Sequence, residues 1–183
     1  FKGIYDIYDS DSSIAARTKG VGILTHEDAL IYGACGPHGR ASNVNFDVRK
    51  TMPYNSYEDF DFKVALAEDE DVFSRAVVRL VEIEESFKII KQAVKNMPDG
   101  PINLGNKIPR VPKGESLAVT EAPRGEVSYF VVSNGGQTNS RVNIHVPTFK
   151  NAATVPVMLK DNTIADAGLI VASIDPCFSC LDR

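Results

Sequence analysis

Between Asp69 and Asn96 the apolar residues Phe73, Ala76, Leu80, Ile83, Phe87, Ile90 and Val94 recur in steps of three and four. That spacing puts them on one helical face and predicts a long amphipathic helix over 69–96, stopped by Pro98-Asp99-Gly100. No other segment constrains the fold as strongly, because a rod this long with one apolar stripe needs other elements to cover it. Its opposite face carries Glu84 four residues before Lys88, with Lys91 and Lys95 near the C-terminal end, where positive charge suits the helix dipole. The sequence therefore predicts a solvated charged face over a buried apolar stripe.

The remaining segments are shorter. Thr25 before His26-Glu27-Asp28 reads as a cap and an acidic first turn, so a short helix is expected from Thr25 to Ala34, broken by Gly33 and Gly36-Pro37. The stretch from Gly36 to Tyr57 is rich in Gly, Asn, Pro and Arg without periodicity. It reads as a long loop, which in a compact domain implies a function or a partner surface. After a Pro- and Gly-punctuated connector from Pro101 to Gly114 come β-like runs at 116–120, 127–133 and 141–146. Ser133-Asn134-Gly135-Gly136 between the last two has hairpin-turn chemistry. Helices are expected again at about 149–159 and 163–173, the second capped by Asp161 or Asn162. The expected fold is α+β and helix-dominated: long amphipathic helices with a small antiparallel β-meander, forming a single unit over 1–183.

With 43% hydrophobic and 24% charged side chains, the 183 residues fall within globular usage. A formal charge of −4 and a pI near 5.4 leave no basic footprint for nucleic acid, which is not expected as a partner. The longest apolar run, near Gly168 to Ser173, is far short of a membrane span. Three cysteines, Cys35, Cys177 and Cys180, are too few for a disulfide framework and point to a reducing compartment.

Two of those cysteines form a CxxC pair in the final segment Asp175-Pro176-Cys177-Phe178-Ser179-Cys180-Leu181-Asp182-Arg183. Two thiolates three residues apart can clasp one soft metal. A thioredoxin-like redox pair would need Cys177 at a helix N-terminus, whereas here the predicted helix precedes the motif. A structural zinc site would have to recruit Cys35 and one of His26, His38 or His145, with no second knuckle in the sequence. Two incidental thiols in a tail are the ordinary expectation for an isolated CxxC.

The wider sequence favours the metal. Asp175-Pro176-Cys177-x-x-Cys180-x-x-Arg183 resembles the C-terminal metal motif of the large subunit of nickel-iron hydrogenases. Gly36-Pro37-x-x-Arg40-Ala41-Ser42, Asp47-Val48-Arg49-Lys50, Glu121-Ala122-Pro123-Arg124-Gly125-Glu126 and the run from Arg141 to Pro147-Thr148-Phe149 are similar, in order, to blocks shared by these hydrogenases and the related 49-kilodalton subunit of respiratory complex I. The complex I subunit lacks the metal cysteines, which this chain keeps. The Glu-Ala-Pro-Arg-Gly-Glu block and Arg183 look most like the membrane-bound, energy-converting subgroup.

The resemblance implies a hydrogenase large-subunit-like fold and reversible reduction of protons to H2, coupled to ferredoxin-type electron transfer and ion pumping. It implies a NiFe(CO)(CN)2 centre with Cys177 as a terminal nickel ligand and Cys180 bridging nickel to iron. Arg124, following Pro123, would donate to one cyanide and handle protons. Thr148 would donate to the other cyanide, with Pro147 shaping the pocket, and Asp175 would hold Arg124 in place. Taken singly, Arg124 reads as a surface turn residue, Thr148 as a helix cap and Asp175 as a turn former. Implied partners are a small subunit carrying [4Fe-4S] clusters, membrane ion-translocating subunits and ferredoxin, on the cytoplasmic face of the cell membrane. The family's first motif, Arg-x-Cys-x-x-Cys, does not occur in this chain. Together with the absence of an initiating Met, this makes 1–183 read as a C-terminal portion whose N-terminal half supplies the other two thiolates. A metal-free complex-I-like scaffold with a vestigial CxxC remains the alternative. No role is expected for the three histidines. Cys35 reads as a small core residue, and Arg40, Asp47 and Arg49 as organisers of a buried loop or a subunit contact.

Overall fold

The computed structural model describes residues 2–103, 105 and 111–182. Part of the connector before Gly114, and Arg183, lie outside the described residues. In chain order the elements are α1 (Lys2–Ser10), α2 (Ser12–Thr18), α3 (His26–Ile31), α4 (Gly36–Arg40), α5 (Val48–Thr51), α6 (Val72–Lys95), β1 (Lys113–Ala122), β2 (Gly125–Asn134), β3 (Asn139–His145), α7 (Pro147–Ala152), α8 (Val155–Leu159), α9 (Ala167–Ser173) and α10 (Phe178–Leu181). The strands form one antiparallel meander in the order β1-β2-β3. The chain is thus α+β and helix-dominated, as its patterning predicts.

Asp71 starts the long helix. Its carboxylate accepts the Ser74 N–H at 2.8 Å while its own N–H donates to Ser74 Oγ at 3.0 Å, closing a capping box. Its second oxygen accepts the Gly20 N–H at 2.8 Å, tying the helix start to the segment after α2. The burial of α6 departs from the predicted stripe. Phe73 is buried, but Ile83, Ile90 and Val94 are 44%, 55% and 65% exposed. Ala76 and Leu80 are half-buried, and the buried residues beyond the first turns are Val78 and Glu85, with Gln92 half-buried on the same seven-residue spacing. The reason is hydrogen bonding. An extended segment at 60–67 lies along that row, and its backbone groups need partners that a strand neighbour would otherwise supply. Glu85 accepts the Lys63 N–H at 2.9 Å, and Gln92 both accepts from Asp61 N–H and donates to Asp61 O, at 2.9 and 2.7 Å.

The core lies at the N-terminal half of α6. Leu24, Ala29, Ala34, Val72, Met158, Ile170 and Ile174 form one buried cluster, and Ala41, Ala65 and Val78 form a second. The region from Gly36 to Tyr57 is a correction to the expected loop, since it holds α4, α5 and a 3-10 turn at Tyr57–Asp59. All five residues of α4 are buried, so it has no polar face and no periodicity to read. The helix expected at 149–159 is two helices. Thr154 Oγ1 turns back to donate to Asn151 O at 2.7 Å, and Pro156 starts the second. The expected cap of α9 is also replaced. Asp166 occupies the cap position, while Asn162 accepts the Gly22 N–H at 3.1 Å.

Candidate functional site

Hairpin β1–β2 turns at Ala122-Pro123-Arg124-Gly125, and the start of α4 presses against that turn. Gly36 has φ +65° and Gly125 φ +127°. A Cβ on Gly125 would lie 2.7 Å from Gly36 N, and one on Gly36 would overlap the Arg124 carbonyl. Both positions therefore need glycine for conformation and for space. The contact fixes where the Arg124 side chain starts.

Arg124 reaches the segment after α9. Its Nε donates to Asp175 O at 2.6 Å and its Nη2 to Asp175 Oδ1 at 3.0 Å. Asp175 holds φ +54°, a left-handed conformation that points its carbonyl and carboxylate at the same guanidinium. Two residues on, Cys177 is the N-cap of the single turn α10, with Cys180 one turn later. This corrects the premise that only a helix before the motif exists. The Cys177 N–H donates to Thr148 Oγ1 at 3.3 Å, and Thr148 is buried at the start of α7 beside buried Pro147. Hydrogen bonding from Ser179, whose Oγ lies 3.0 Å from Cys177 Sγ, is the main reason the Cys177 thiol is pulled down to about 7. Cys180 moves the other way, pushed up mainly by burial and then by its neighbour Cys177.

Arg124, Asp175, Thr148, Pro147, Cys177 and Cys180 thus come together from β1–β2, α7 and the C-terminal turn. Pro123 sits apart, exposed on the rim of a cavity of about 400 Å³ that it shares with Arg40, Arg79, Glu121 and Asp175. Arg40 is 2% exposed and gathers Glu82 (2.7 Å), Glu121 (2.9 Å) and Asp47 (3.6 Å). Glu121 also accepts the Val48 N–H at 3.2 Å. Burial raises the Glu121 carboxyl even though Arg40 opposes it. The Arg40–Asp47–Arg49 group joins α4 to the capped start of α5, so the buried loop expected there is a pair of short helices. Cys35 is buried, its N–H held by Asn151 Oδ1 at 3.0 Å and its thiol pushed up to about 11 by burial, which leaves it inert.

Among the described residues there is no group of three or more His, Cys, Asp or Glu side chains placed to hold a metal. What this chain presents is two neighbouring soft donors, Cys177 and Cys180. The polar residues singled out in the sequence lie together here. Sequence reasoning missed the glycine contact and the arginines of α6, although Gly36 and Gly125 stand inside the very blocks that drew attention.

Comparison with known proteins bears on the whole chain. The family described as respiratory-chain NADH dehydrogenase, 49 Kd subunit, matches residues 1–108 and 103–183. A carbon monoxide-induced hydrogenase of Rhodospirillum rubrum is 44% identical over 98% of this chain and 50% of its own length. A subunit of the NADH-quinone oxidoreductase of Clostridium beijerinckii is 43% identical over 92% of this chain and 46% of its own. A subunit of the F(420)H(2) dehydrogenase of Methanosarcina mazei is 39% identical over 97% and 50%. The chain spans about half the length of these curated relatives.

Proposed function

This chain belongs to the family of the 49 Kd subunit of the respiratory-chain NADH dehydrogenase, and on that premise we propose that it is part of the catalytic subunit of an energy-converting nickel-iron hydrogenase. The observation that carries this reading is the Cys177–Cys180 pair set beside an Arg124 guanidinium doubly held by Asp175. Two soft donors on one turn fit half of the four-thiolate set such a centre needs, and Cys177 and Cys180 would be the residues of this chain that hold it. The remaining thiolates, the [4Fe-4S] clusters, ferredoxin and the ion-translocating subunits belong to other segments and partners in this proposal, and the assembly would sit on the cytoplasmic face of the cell membrane. When bound, the bimetallic group supplies two-electron chemistry on hydrogen.

The chain's own residues hold protons and orient groups. Cys177 Sγ would be a ligand of the centre, and Ser179 Oγ, 3.0 Å away, can donate to its thiolate. Asp175 orients Arg124 by accepting from both its Nε and its Nη2. The remaining N–H groups of Arg124 would be available to donate to a diatomic ligand of the centre. Thr148 Oγ1 is held by the Cys177 N–H and can orient its proton toward the other. Among the described residues no helix is long and apolar enough to cross a membrane, which suits a peripheral subunit.

Metal analysis of the complete complex, with Cys177→Ser beside it, is the test. Nickel should be present in the parent and lost in the variant. Nickel retained by Cys177→Ser would sink the ligand assignment. The second reading, a metal-free complex-I-like scaffold with a quinone-coupling role, is favoured by the likeness to the NADH-quinone oxidoreductase of Clostridium beijerinckii, and absence of nickel from the parent would select it.

A further inference from the structure

Two arginines of α6 converge on the segment that leads into the cysteine pair. Arg75 is fully buried, and its partners are neutral: Nε donates to Ser173 Oγ at 2.9 Å, Nη2 to Gly22 O at 2.7 Å and Nη1 to Glu70 O at 3.2 Å. Burial lowers this guanidinium to about 10. A charge held inside by carbonyls and a hydroxyl is expensive, so the position is maintained against a free-energy cost. One turn later, Arg79 anchors its Nη1 on Arg75 O at 2.8 Å. It stands in the wall between two cavities, of about 400 and 480 Å³, and Asp175 lines both of them with it. Asp175 is the carboxylate whose charge acts most strongly on Arg79, ahead of Glu82.

Arg75 therefore grips the last residue of α9, and Arg79 faces the residue that holds Arg124. Asp175 sits in a left-handed conformation, which Asp adopts more readily than most residues, as exposed Asp161 does at φ +60°. Its side chain is 45% exposed, so packing does not hold it there. Arg124 holds Asp175 by direct hydrogen bonds, and Arg79 shares two cavity walls with it from the capped half of α6.

We propose that Arg79 is a positioning residue, acting with Arg75 on Ser173–Asp175 to hold the Asp175–Arg124 pair, and through it Cys177, in register with α6. This rests on the reading of Arg124 and Cys177 as site residues.

The test uses the complete complex carrying Arg79→Met or Arg79→Lys. Arg79→Met should lower kcat for hydrogen formation about 10-fold with KM for reduced ferredoxin unchanged. It should also speed amide hydrogen exchange at 173–177 while the amides of α6 keep their protection. Arg79→Lys, which keeps the charge, should restore both. Unchanged exchange at 173–177 in Arg79→Met overturns the proposal whatever the turnover does, and so does equal loss of protection in α6, which would mark general unfolding. If the parent complex makes no hydrogen, the proposed function fails while the exchange comparison still decides the role of Arg79.

Discussion

Gly36 shows how little room a single residue has here. Its positive φ and its contact with the Arg124 carbonyl mean that Gly36→Ala must move either α4 or the β1–β2 turn. We expect a loss of about 1–3 kcal/mol in stability, measured by denaturant titration, and a displaced Arg124. Arg124→Lys tests the side chain itself. One ammonium cannot reproduce the paired donation to Asp175 O and Oδ1, so turnover of the complete complex should fall on the order of 10²-fold with folding intact. His38 sets a pH dependence. Its Nε2 meets Thr154 Oγ1 at 2.9 Å, and that hydroxyl already donates to Asn151 O, so Nε2 carries the proton. Nδ1 is buried without a partner among the described residues. Burial, helped by the charges of Arg75 and Arg79, pushes the imidazole well below its usual 6.5. The unfolded chain therefore binds a proton that the folded chain refuses. Stability is fully present above about pH 6.5 and falls as pH drops below it, by up to about 1.4 kcal/mol per pH unit. Denaturation midpoints between about pH 7.5 and pH 5.5 should show this slope, and His38→Gln should remove its contribution.

At the scale of elements, α6 separates what periodicity implies from what packing needs. Its apolar spacing is correct for a helix, and its boundaries follow from the Asp71 cap and the Pro98-Asp99-Gly100 stop. The residues buried beyond the first turns are nevertheless Val78 and Glu85, with Gln92 half-buried on the same row. Ile90→Glu and Val94→Glu should each change stability of the isolated chain by no more than about 0.5 kcal/mol. Val78→Ala, at 1% exposure, should lose about 2 kcal/mol. Equal losses at all three positions would show that the stripe is covered in solution. The single turn of α10 is the other element that spacing did not reveal, because four residues carry no periodicity to read.

For the whole molecule, Arg40 is the joint. It ties α4 to α6 through Glu82, to β1 through Glu121 and to the cap of α5 through Asp47, across up to 81 positions of sequence. Asp47 is shared with Arg49 at 2.6 Å, and those guanidinium contacts keep its carboxyl low despite burial. Replacing Arg40 with Met leaves carboxylates without their common cation, so unfolding should become easier by about 3 kcal/mol or more. Arg40→Lys should recover little of that, since a compact ammonium cannot span the acceptors that Nε and Nη1 of one guanidinium reach on different elements. A chemical-denaturation series on the three proteins checks the order.

Local order was legible where local chemistry decides it. The Thr25 cap of α3 and the hairpin bend that follows Asn134 come from neighbours a few residues apart. So did the candidate site's membership, because Arg124, Thr148, Asp175 and the two cysteines stand in blocks recognisable one by one. Which face of α6 is buried, that α4 is a helix and that Gly36 meets Gly125 depend on segments distant in sequence arriving at the same place. An amphipathic pattern states which face burial would favour, but an extended segment with unpaired backbone groups offers hydrogen bonds that an apolar face cannot make. The sequence determined the elements and the chemistry available to the site, and the tertiary structure decided which partner each polar group finds.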